Sequence, residues 1–86
     1  MIKKFTIEDE TGLHARPASK LVKEANKYSN EIKLIYQDKT INLKSIMMVI
    51  SLGIPHKASF KIEVIGQNAE TALTALENVL KKEGSI

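Results

Sequence analysis

The stretch Gly12-Leu13-His14-Ala15-Arg16-Pro17 places an imidazole, a guanidinium and a proline within six residues. Proline is accommodated in the first turn of a helix, where backbone amides have no intrahelical partner. The spacing therefore predicts a loop ending at His14 and a helix starting at Ala15. With His14 at the cap, the amides of Ala15 and Arg16 are left to face an anion. The positive end of the helix reinforces them, and Arg16 adds a fork of donors that never loses its charge. Such an arrangement is a small phosphate site, and a neutral imidazole beside it is a nucleophile. The candidate chemistry is transient acceptance of a phosphoryl group on His14, with the surrounding donors stabilising the added charge. Spacing alone leaves open a surface histidine that merely caps a helix.

A second segment combines a hydroxyl with an apolar run. Ser45 precedes the unbroken sequence Ile46-Met47-Met48-Val49-Ile50, and Gly53 follows Leu52. Serine at an N-cap and glycine just past the last turn punctuate a short helix. Five successive apolar residues wrap the whole circumference of such a helix, so a helix lying on a sheet cannot bury them all. An exposed remainder would be a docking surface for proteins; a helix buried on both sides is the alternative. Elsewhere, Asp9 and Glu10 have no recognisable catalytic context, and His56 reads as an exposed loop histidine. No metal-ligand spacing and no glycine-rich nucleotide loop occur, so neither a metal nor a cofactor is expected.

The elements that position these residues follow from periodicity. Phe5 and Ile7 alternate with polar neighbours and predict a strand over Ile2–Glu8; Asp9-Glu10-Thr11-Gly12 is turn chemistry. Ala15, Ala18, Val22 and Ala25 share a helical face, giving a helix of about Ala15–Lys27. Ile32, Leu34 and Tyr36, then Ile41 and Leu43, alternate around Gln37-Asp38-Lys39 and predict a hairpin. The hairpin turn and the loop Pro55-His56-Lys57-Ala58 both lack the glycine that such turns commonly carry. Phe60, Ile62 and Val64 form a fourth strand, and Ala69, Ala72, Leu73, Leu76 and Leu80 a final helix with Lys81 and Lys82 in its last turn. Strands with one polar face imply a two-layer α+β domain, a mainly antiparallel sheet covered on one side. Pattern does not decide topology, since a ferredoxin-like order fits the first six elements equally.

Eighty-six residues suffice for one domain, taken as 1–86, and are too few for a separate substrate domain. Thirteen Lys and Arg against ten Asp and Glu give +3, a basicity too weak to diagnose nucleic-acid binding. The chain has no cysteine, which excludes disulfides and thiol chemistry and fits a reducing cytoplasm. The longest apolar run, Ile46–Ile50, is too short to span a membrane, and no signal peptide is expected.

Gly12-Leu13-His14-Ala15-Arg16-Pro17-Ala18 resembles the active-site signature of the HPr family, the histidine-containing phosphocarriers of the bacterial phosphoenolpyruvate-dependent sugar phosphotransferase system. Asn42-Leu43-Lys44-Ser45-Ile46-Met47 through Ser51-Leu52-Gly53 is similar to that family in register, and the resemblance spans the whole chain. It implies an open-faced β-sandwich with strand order 1-4-2-3 and three helices on one face. It also implies that His14 takes phosphate on Nδ1 from phosphorylated enzyme I and passes it to the IIA domains of sugar permeases, with Arg16 assisting. The chain would then be a monomeric carrier and not an enzyme in its own right. The docking face would carry Ile46, Met47 and Ile50. Ser45 looks like the regulatory site of the Gram-positive members, where an HPr kinase/phosphorylase modifies the serine and links the protein to a catabolite-control transcription regulator. Met48 departs from the small residue, usually glycine, that relatives often have there.

Two other function classes compete. An RNA-binding domain needs an aromatic platform, whereas Phe5, Tyr28, Tyr36 and Phe60 are scattered. A purely regulatory adaptor controlled through Ser45 would be expected to lack the active histidine, and His14 is present.

Overall fold

The computed structural model describes residues 1–86. Its elements are β1 (Ile2–Thr6), α1 (Ala15–Ala25), β2 (Glu31–Tyr36), β3 (Lys39–Asn42), α2 (Ile46–Leu52), β4 (Ser59–Ile65) and α3 (Ala69–Lys82). The four strands form one sheet in the order β1-β4-β2-β3, with every neighbouring pair antiparallel. This is the 1-4-2-3 sandwich and not a ferredoxin-like sheet.

Register follows from the alternation of apolar residues. Phe5 faces Phe60 across β1 and β4, their ring centroids 5.8 Å apart, and Ile62, Leu34 and Ile41 form a row across β4, β2 and β3. These side chains point to the helical layer, where Ala18, Leu21 and Val22 of α1 and Ala72, Leu73, Leu76 and Leu80 of α3 meet them in one core. At its rim the Lys3 ammonium lies over the Phe5 ring and donates to Glu77 of α3 at 2.7 Å. On the uncovered face Lys4 stands directly opposite Lys61.

Three boundaries differ from those the sequence predicts. Regular pairing of the first strand stops at Thr6 because β4 begins at Ser59. Beyond it, Ile7 bonds the loop that precedes β4, through Ala58 O and the Lys57 amide, and the Glu8 amide reaches Ser85 O near the end of the chain. Helix α1 closes at Ala25 because the amides of Lys27 and Tyr28 bond back only three residues, a tighter turn than the α-helix allows. Leu43 lies past β3 but remains buried, its amide on Ile32 O.

Both glycine-poor turns are in the left-handed region, with Gln37 at φ +56° and Lys57 at φ +71°. A β-carbon is disfavoured there, which makes each a point of stored strain.

Candidate functional site

His14 is the N-cap of α1, with extended backbone (φ −82°, ψ −177°), and its carbonyl accepts the first helical bond from the Ala18 amide. Its side chain makes no capping bond. The amides of Ala15 and Arg16 therefore have neither a helical acceptor nor a cap, and Pro17 has no amide to satisfy. Pro17, Ala18, Leu21, Val22 and Ala25 are buried, which fixes the helix on the sheet while Ala15 and Arg16 at its head stay exposed. The imidazole side chain is 37% exposed.

The preceding loop is built by close backbone contact. Gly12 has φ +75°, and a β-carbon there would stand 2.5 Å from Ile54 O. That space lets the Leu13 amide donate to Ile54 O at 2.9 Å, so the loop after α2 is clamped directly beneath His14. Leu13 itself is buried.

Asp9, which sequence reasoning left without a role, is brought to the imidazole. Its Oδ1 accepts from the Thr11 amide at 2.9 Å, and its Oδ2 lies 3.5 Å from His14 Nε2. The Thr11 amide chiefly, with the charge and hydrogen bonding of His14 adding to it, holds the Asp9 carboxyl below its ordinary value against the opposing effect of desolvation. The available signal was the Asp-x-Thr-Gly turn just before the histidine, since aspartate commonly bonds the amide two residues on.

His56 also differs from expectation. It is half-buried, and its Nδ1–H donates to the Asp9 carbonyl at 3.2 Å. Arg16, by contrast, is not joined to the imidazole by any hydrogen bond. Its Nε lies 3.8 Å from Glu83 at the end of α3, and its side chain is 79% exposed.

Ser45 is the N-cap of α2, where its hydroxyl accepts from the Met48 amide at 3.4 Å, and Gly53 closes the helix at φ +57°. The residue before it is tied to the turn that closes α1: Lys44 Nζ donates to Tyr28 O at 2.6 Å, and Asn26 Nδ2, at the C-cap, donates to both Lys44 O and Val22 O. Of the five apolar residues, only Val49 is buried; Met47 is 79% exposed, and Ile46, Met48 and Ile50 also face water. The alternative of a helix buried on both sides is thereby excluded.

No deep pocket surrounds the imidazole. The largest hollow, about 770 Å³, is bordered by Asn30, Gly66 and Gln67 and shares no residue with the His14 loop. An exposed imidazole and an exposed apolar helix suit contact with another protein better than with an enclosed small molecule.

The family model described as "PTS HPr component phosphorylation site" matches residues 1–82. The chain belongs to the HPr family. Among solved structures, the histidine-containing phosphocarrier protein of a mycoplasma is 38% identical, with a TM-score of 0.96 over 100% of this chain and 98% of that one. The phosphocarrier protein HPr of Bacillus anthracis is also 38% identical, with a TM-score of 0.83, covering 92% of this chain and 94% of its own. Crh, the catabolite repression containing protein of Bacillus subtilis, is 31% identical with a TM-score of 0.73, over 98% of this chain and 95% of its own; it was solved as a swapped dimer. The HPr fold and family assign this chain to the phosphocarriers of the phosphotransferase system. No helix is long and apolar enough to cross a membrane.

Proposed function

We propose that the chain, acting as one cytoplasmic domain over residues 1–86, accepts a phosphoryl group from phosphorylated enzyme I on His14 Nδ1 and delivers it to the IIA domains of sugar permeases. The observation that carries this reading is an exposed imidazole at the head of α1, beside two amides without acceptors. The nucleophile's lone pair forms the N–P bond as the donor's bond to phosphorus breaks. The Ala15 and Arg16 amides and the positive end of α1 offset the incoming charge. Arg16 assists by exchanging Glu83 for the phosphoryl oxygens, for which a guanidinium is well matched. Ile46, Met47 and Ile50 form the face on which partners dock, one loop away from His14. The test supplies phosphoenolpyruvate and enzyme I. The expected product is an acid-labile, base-stable adduct that disappears in His14→Ala; an adduct that persists in that variant overturns the assignment.

A regulatory reading is favoured by the likeness to Crh and by Ser45 at the head of α2. Here an HPr kinase/phosphorylase modifies Ser45, setting about two negative charges beside the docking face. The modification hinders enzyme I and favours a catabolite-control transcription regulator. Ser45→Asp is expected to slow phosphotransfer from enzyme I, and an undiminished rate removes the proposal.

A further inference from the structure

We propose that Asp9 is the positioning residue of His14: its carboxylate holds the proton on Nε2, so that Nδ1 presents its lone pair to phosphorus and the phosphorylated ring is stabilised as a cation. The inference rests on His14 being the phosphoryl acceptor.

Asp9 is fixed from three directions. Its Oδ1 accepts from the Thr11 amide, and its carbonyl accepts from the Gly12 amide at 2.9 Å and from His56 Nδ1–H at 3.2 Å. With these bonds made, Oδ2 is the remaining acceptor, and it faces His14 Nε2 at 3.5 Å. An ionised carboxylate can only accept, so Nε2 meets it favourably only as N–H. Arg16, the charged side chain of α1's first turn, is paired with Glu83, and Asp9 is the carboxylate that stands against the ring.

The consequence for transfer is a reaction with no proton to move. The Nδ1 lone pair forms the N–P bond, and the donor departs with the electrons of its own bond to phosphorus. Nε2 keeps its proton, so the ring becomes positive opposite Asp9 while the phosphoryl oxygens lie toward the helix amides. In onward transfer the N–P electron pair returns to Nδ1 and the ring leaves neutral. A nearby anion favours the charged ring, and that charge makes the imidazole a better leaving group.

The test uses the full chain with 15N-labelled histidine, phosphorylated by phosphoramidate as a small-molecule donor. Ring resonances are followed over pH before and after phosphorylation. In Asp9→Asn, the midpoint at which the phosphorylated ring loses its Nε2 proton is expected to fall by about 0.5 in pH, and phosphorylation to slow about threefold or more. Asp9→Glu should restore part of both effects, and Glu10→Gln should change neither. Identical midpoints and rates in the wild type and Asp9→Asn overturn the inference. So does a wild-type ring that carries its proton chiefly on Nδ1, a result that does not depend on any variant folding. Failure of wild-type His14 to take up phosphate defeats the carrier reading instead, while the unphosphorylated tautomer still judges Asp9.

Discussion

Arg16 Nε and Glu83 Oε1 stand 3.8 Å apart, so the one guanidinium of the chain is held at the end of α3 and not against the imidazole it is expected to assist. An ion pair with so exposed a partner contributes about 0.2–1 kcal/mol. Breaking it is therefore a small barrier, equivalent to about fivefold at most. Glu83→Gln should accelerate phosphoryl uptake by about two- to fivefold, measured by rapid quench, while leaving thermal stability nearly unchanged. A slower variant would mean that Glu83 helps to place Arg16.

Gly12 carries the approach of two loops. Any side chain there meets Ile54 O at 2.5 Å and must also adopt φ +75°. The left-handed cost alone is about 1–2 kcal/mol. Gly12→Ala is expected to lose about 2 kcal/mol or more in urea denaturation, and to slow phosphotransfer because Leu13 can no longer hold His14 in register.

The hairpin offers the opposite sign. Gln37 sits at φ +56° in the two-residue turn between β2 and β3, where glycine has no steric penalty. Relief of about 1–2 kcal/mol of strain is partly offset by about 0.5–1 kcal/mol of glycine entropy. Gln37→Gly should stabilise the protein by about 0.5–1 kcal/mol, a rise of several degrees in Tm for a chain of this size.

Acid sensitivity follows from two carboxylates. Glu77 is held below its ordinary value chiefly by its hydrogen bond from Lys3, with Lys81 adding, against burial; Asp9 is lowered chiefly by the Thr11 amide. For a group lowered in the folded state, the unfolded chain binds more protons in the interval between the two values. The stabilisation is therefore complete above the ordinary carboxylate range of about pH 4 to 4.5 and is lost as pH falls through the folded-state value. Denaturation measured from neutral pH downward should show a shallower decline in Glu77→Gln than in the wild type.

Most of the framework is legible in the residues because strict alternation leaves one register. Phe60, Ile62 and Val64 can be buried together only on one face, and the Ser45 and Gly53 caps mark α2 at both ends. Strand order is not contained in that alternation; it came from the resemblance of whole motifs. The relations around His14 were less accessible. Asp9 and His56 meet across 47 positions of sequence, and Arg16 turns to a residue 67 positions away. Such pairings depend on how loops land after the core has formed, and no local period encodes them.

The uncovered face of the sheet has its own effect on how the molecule behaves among its copies. Lys4 and Lys61 are cross-strand partners, a like-charge pair that weakens the sheet slightly. Stacking two such faces would press four ammonium groups into a space stripped of water. Crowded copies are thus steered away from sheet-to-sheet aggregation, and the apolar helix on the other layer remains the surface at which association costs least.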